Sequence, residues 1–199
     1  MSAYLIVALG VAAFLGFALL KKRKATRPTK ASTPWVISQG RNVPPAPTMQ
    51  GNGWHIDLPP APGYVAYVSW IDQPLLREGQ ALTIRYRVEG GPIIATEYPD
   101  SPADAGLMVQ RRGDNLTARG KYAGYRWFCH QHFPLTEGEH EFTIPLTVEH
   151  WGPVMSDPQA ASFSDCLREA DSLNVVFGGA GGRGHGVFGS GRFTLLRLA

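Results

Sequence analysis

The chain has 199 residues, 44% hydrophobic and 18% charged, with 23 Gly, 16 Pro and two Cys. Two cysteines are too few for a disulfide scaffold or an all-cysteine zinc site. Six of the 19 basic residues lie within ten positions (Lys21, Lys22, Arg23, Lys24, Arg27, Lys30), so residues 31–199 hold 13 basic residues against all 16 acidic ones, a net of −3. That balance argues against a basic nucleic-acid-binding domain, and no nucleic-acid partner is expected.

Tyr4–Leu20 (YLIVALGVAAFLGFALL) is apolar throughout, 17 residues without a charge. As a helix it rises about 25 Å, the short end of what crosses a bilayer core. A signal peptide needs a basic segment before the apolar run and a small-residue cleavage site after it. Here no Lys or Arg precedes the run and KKRK follows at once. The sequence therefore predicts an N-terminal transmembrane helix, residues 1–24 with its basic flank, that partners membrane lipid. Lys and Arg beside a span stay on the cytoplasmic side, which predicts a single-pass protein with a cytoplasmic domain. The alternative is a periplasmic or extracellular domain.

Residues 25–53 read as a linker rich in Pro, Ser and Thr, interrupted by Trp35, Val36 and Ile37, which can dock on the domain. The domain is expected over 54–199. Tyr64–Ile71 is β-branched and aromatic. Leu82, Ile84, Tyr86 and Val88 alternate with Thr83, Arg85, Arg87 and Glu89, a half-buried strand. Gly106–Gln110, Tyr125–Phe133, Glu141–Val148, Leu173–Phe177 and Arg192–Leu198 continue the series. Seven to nine such strands predict a mainly β fold, a jelly-roll-like antiparallel β-sandwich. One short helix interrupts it, capped by Asp157 with Pro158 at its first position, and its packed face carries Phe163, Cys166, Leu167 and Ala170.

Three groups of residues bear on function. In the strand Tyr125–Phe133, period-2 geometry puts Arg126, Phe128, His130 and His132 on one face and Trp127, Cys129 and Phe133 on the core face. Arg126, His130 and His132 are expected to form one polar, cationic binding face with Arg85 and Arg87 from the other strand, and Tyr125 is expected at the surface as an aromatic ligand contact. Second, nine of the fifteen residues Phe177–Gly191 are Gly or Ala, and Arg183 and His185 stand among them. A strand, FTLLRL, follows where a nucleotide-binding loop needs a helix, so a ligand site at a sandwich edge is the better reading and no cofactor is expected. Third are the aromatic residues from Trp54 to Trp151, most of them expected in the core. Cys129 and Cys166 read as buried thiols.

The spacing Gly124…His130-x-His132…Glu137 resembles the first motif of the cupins, and that resemblance implies His130, His132 and Glu137 as metal ligands. The second cupin motif finds no match downstream. The layout over Trp54–Leu198 resembles the galactose-binding-like and carbohydrate-binding-module sandwiches. It does so through Tyr125-Arg-Trp127, the hairpin Leu135–Gly138, Trp151, and Phe177-Gly-Gly leading to Gly184-His-Gly186 and a closing strand. That resemblance implies a non-catalytic module for a carbohydrate or other polyhydroxylated ligand. Two alternatives stand beside it, a membrane-tethered domain that docks a protein partner and, more distantly, a metal-dependent enzyme of cupin type.

The six-to-zero asymmetry of basic residues across Tyr4–Leu20 has a direct test. Protease added to intact cells or spheroplasts is expected to spare the domain until the membrane is lysed. Digestion without lysis would reverse the orientation.

Overall fold

A computed structural model describes residues 34–73, 75–154, 162–179 and 183–199. The expected transmembrane segment and the capping pair Asp157–Pro158 lie outside the described residues. Among the described residues, no helix is long and apolar enough to cross a membrane.

In chain order the strands are β1 (Trp35–Arg41), β2 (Thr48–Gln50), β3 (Gly53–Asp57), β4 (Tyr64–Ile71), β5 (Ala81–Glu89), β6 (Ile93–Ala95), β7 (Ala103–Arg111), β8 (Arg126–Cys129), β9 (Phe133–Pro134), β10 (Gly138–Pro145) and β11 (Trp151–Pro153). Helix α1 (Phe163–Arg168) follows, then β12 (Ala170–Gly179), β13 (Val187–Gly189) and β14 (Arg192–Leu198). Every pairing is antiparallel. The large sheet runs β11-β8-β7-β12-β4-β13-β6, with β1 on β4 and β9 on β7; the small sheet runs β10-β5-β14-β3-β2. This is the expected antiparallel β-sandwich with one short helix.

The core lies between the sheets. β5 alternates as read, with Leu82, Ile84, Tyr86 and Val88 buried. Phe193 of the small sheet meets Phe177 of the large one edge-on, ring centroids 5.1 Å apart, and stacks on Tyr86 at 5.1 Å. The Tyr86 hydroxyl donates to the Pro134 carbonyl at 2.8 Å, tying the small sheet to β9, and burial raises its pKa. Trp127, Cys129 and Phe133 are core residues, as are Trp54 and Trp151.

Three expectations are corrected. The linker does not extend to residue 53: β1 pairs with β4 from Trp35↔Trp70 to Arg41↔Tyr64, and β2 extends the small sheet. β1 buries only Trp35 fully, so it lacks the alternation that marks a strand in sequence. Tyr125–Phe133 is two strands. After Cys129 the chain leaves the sheet, the His130 amide donating to the His150 carbonyl at 2.8 Å, and rejoins β7 at Phe133↔Ala105. Finally, Ala170 opens β12 and is not part of the helix. Ser162 caps α1, its hydroxyl accepting from the Asp165 amide at 3.2 Å, while Phe163, Cys166 and Leu167 pack inward.

β4, β7 and β12 are buried on both faces over most of their length. On the outer face, away from the small sheet, polar side chains close on one another across five strands. The Ser38 and Ser69 hydroxyls are 2.5 Å apart, Ser69 donates to Asn174 Oδ1 at 2.5 Å, and Asn174 Nδ2 donates to Ser172 Oγ at 3.0 Å and to the Met108 carbonyl at 3.1 Å. Ser172 reaches Gln110 Oε1 at 3.4 Å, Gln110 donates to Asp114 Oδ2 at 3.0 Å, and Asp114 meets Arg126 of β8. Asn174, 0% exposed, is the node. Replacing it leaves several buried groups without partners, each costing about 1–3 kcal/mol. Asn174→Ala is expected to lower stability by roughly 2–4 kcal/mol on that count, read as a lower urea midpoint at unchanged m-value. An unmoved midpoint would show that the chain of hydrogen bonds carries no stability.

Candidate functional site

The outer face of the large sheet also carries a small apolar cluster, Ala66, Tyr67, Met108 and Val176, with Tyr64 and Phe128 packed against it. Above it opens a cleft of about 740 Å³. β1 contributes Gln39, β4 Tyr64 and Tyr67, and β8 Arg126 and Phe128. Pro153 of β11 and loops with Leu116, His132, Val154 and the run Arg183-Gly184-His185 complete the walls. Tyr64 and Phe128 are half-buried. Tyr67 lies deeper, and burial raises its hydroxyl pKa, with Arg126 opposing that shift.

The glycines of the last wall have a steric role. Gly184 and Gly186 have φ of +89° and +99°, and both amides donate to the Phe177 carbonyl, at 2.9 and 3.0 Å. A Cβ at Gly184 would sit 2.8 Å from the Tyr67 ring, and one at Gly186 2.7 Å from the Tyr64 ring. Only residues without a side chain let this segment fold back onto the two tyrosines in a left-handed backbone. The glycine run thus closes on the sheet face and forms part of the cleft.

The opposite wall depends on one ion pair. Arg126 Nε lies 2.9 Å from Asp114 Oδ2, the two side chains 9% and 0% exposed. Asp114 Oδ1 accepts the Leu116 amide at 3.1 Å, and Arg126 Nη2 donates to the Leu116 carbonyl at 2.7 Å. Leu116 takes φ +65°, costly for a residue with a side chain, and these two contacts hold it there. Arg126 is therefore a structural group at the cleft floor, its charge met by Asp114 and one N–H given to Leu116.

Of the residues singled out in the sequence, Arg126, His132, Arg183 and His185 come together at this cleft. Arg85 and Arg87 do not. They project from β5 in the small sheet, where Arg85 donates to Glu139 Oε2 at 2.8 Å and Arg87 to Oε1 at 3.0 Å. Hydrogen bonds from Arg87 and then Arg85 hold Glu139 below the usual carboxylate range. The expected single face fails because β5 and β8 belong to different sheets, which strand alternation cannot reveal. Tyr125 is also elsewhere, at the Arg111 guanidinium, 4.7 Å from its centroid.

His130 lies in the connection after β8 and lines a separate hollow with His132 and His150. Its Nδ1 is 3.1 Å from the Glu149 carbonyl. Glu137 is exposed at the turn before β10. Among the described residues no three His, Cys, Asp or Glu side chains are grouped to hold a metal, so the cupin-like set His130, His132 and Glu137 is not assembled. The thiols are buried: desolvation pushes Cys166 up to about 12 and raises Cys129 as well, away from nucleophilic reactivity.

Of the cleft residues, the sequence reading leaves out Gln39 and places Tyr64 only among the aromatic residues. Gln39 sits in the segment read as linker, and Tyr64 in a strand whose two faces look alike.

No family model matches the chain, and no curated protein matches it. Among solved structures, the xylan-binding module CBM15 is similar over 83% of this chain and 92% of that one, at 10% identity and a TM-score of 0.36. A likeness that distant does not bear on the cleft.

Removing one member of a buried ion pair strands the other, at a cost of about 3–5 kcal/mol. Asp114→Ala is expected to destabilise by that order in chemical denaturation, and adding Arg126→Leu should recover part of the loss. A double variant no more stable than Asp114→Ala alone would separate Leu116 placement from the ion pair.

Proposed function

We propose that the chain is a non-catalytic binding module whose outer-sheet cleft takes a carbohydrate or other polyhydroxylated ligand. The observation that carries this reading is the pairing of two half-buried residues, Tyr64 and Phe128, with polar groups that line the same cleft, Gln39, His132 and Arg183. Aromatic faces pack on the C–H faces of sugar rings, and amide, imidazole and guanidinium groups hydrogen-bond hydroxyls. Tyr64 and Phe128 are set by strands, so the platform is in place before a ligand arrives, which lowers the ordering cost of binding.

Tyr4–Leu20 is proposed to hold the module at a membrane, with the domain on the cytoplasmic side. What supports this is the apolar run and its basic flank.

The test uses the full-length protein in detergent micelles against a panel of neutral and acidic oligosaccharides. At least one class is expected to bind. Tyr64→Ala and Phe128→Ala should each weaken it roughly 3- to 10-fold, the range aromatic contacts supply. No binding across the panel, or binding indifferent to both substitutions, would overturn the carbohydrate reading of this cleft.

A further inference from the structure

The charged groups at the cleft are not equivalent. Arg126 is neutralised by Asp114, His132 Nδ1 lies 2.5 Å from Asp104 Oδ2, and His185 Nδ1 lies 3.2 Å from Glu97 Oε2. Arg183 is different: among the described residues no carboxylate pairs with it. Its Nη1 donates to the Cys129 carbonyl and, at 3.5 Å, to the Gln131 carbonyl. The guanidinium lies over Gly106 of β7, where a Cβ would come within 3.0 Å of Nη1 and 3.1 Å of Cδ. A glycine seat and two carbonyls thus fix one edge of the fork in a half-buried position on the cleft wall.

A half-buried guanidinium attracts an anion more strongly than one in open water, and here the described residues supply dipoles but no countercharge. A planar fork held on one edge presents its remaining N–H groups in the geometry that receives two oxygens of a carboxylate or sulfate. Asp114, Asp104 and Glu97 pair with Arg126, His132 and His185, and among the described residues none of the three pairs with Arg183, although Asp104 Oδ1 is itself left without a partner.

We infer that Arg183 is an oxyanion subsite, and that the glycan this cleft takes is acidic, bearing a uronate carboxylate or a sulfate ester. The inference rests on the carbohydrate reading of the same cleft. It adds the ligand's charge and the residue that selects for it.

The experiment compares three probes of equal length on the full-length protein in neutral detergent at low ionic strength: a neutral xylotetraose, a tetragalacturonate and a sulfated tetrasaccharide. Wild type is expected to prefer an acidic probe over the neutral one by at least tenfold, and the preference should shrink as salt rises. The two acidic arms tell carboxylate from sulfate. Arg183→Gln should bring the acidic-to-neutral ratio down to about twofold or less. Gly106→Ala keeps the charge but crowds its seat, and should lower the same ratio, which covers the case in which Arg183→Gln does not fold. A ratio near one in wild type, or one unchanged in whichever variants fold, overturns the oxyanion subsite and leaves the carbohydrate reading standing. Failure of all three probes to bind overturns both.

Discussion

The central strands of the large sheet are enclosed on both faces, although a two-layer sandwich needs to enclose only one. On the inner face this asks for apolar side chains, and β4, β7 and β12 provide them. The outer face also carries Ser69, Ser172 and Asn174, buried to 5% exposure or less. Polar groups that deep must be satisfied within the protein. The hydrogen-bonded series from Ser38 through Asn174 and Gln110 to Asp114 and Arg126 meets that demand, and it links five strands in a way backbone pairing alone does not. The left-handed turn at Leu116 hangs from the end of this series, so one wall of the cleft depends on it.

The second wall has a different origin. The segment around Gly184 and Gly186 reaches the sheet because it lacks side chains where Tyr64 and Tyr67 stand. The cleft is thus bounded on one side by a polar network that pulls a loop down and on the other by glycines that let a loop in. Between them lie aromatic rings on strands that cannot move far, since their other faces belong to packed layers. A site of this construction suits recognition of an extended, hydroxyl-rich chain: its shape is built in, and its chemistry is a few donors around rings.

The two sheets differ in their exposed chemistry. The outer face of the small sheet carries Arg85, Arg87 and Glu139 as a mutually paired, solvated set, and such exposed pairs add little to stability. The cleft face of the large sheet has one ion pair, Arg126–Asp114, sunk into it, with Arg183 left for something else. An arginine on the non-core face of a strand therefore means opposite things in β5 and β8, solvation in one and architecture in the other.

Much of the fold was legible in local pattern. The alternation over Leu82–Val88, the aromatic and β-branched run Tyr64–Ile71, and the short turns between strands determined a β-sandwich with Trp127, Cys129 and Phe133 inside, because burial of one strand face imprints a period of two. Arg126, His132, Arg183 and His185 were also visible as polar groups in unusual company. The sequence could not say which sheet each strand joins. That assignment depends on pairings between residues far apart in the chain, such as β7 with β12, and it separated Arg85 and Arg87 from the cleft. Nor could it show β1, an edge strand too little buried to alternate, or that Arg126 is spent on Asp114 while Arg183 is not. Those distinctions rest on which carboxylates the folded backbone brings within reach, and only the tertiary structure decides that.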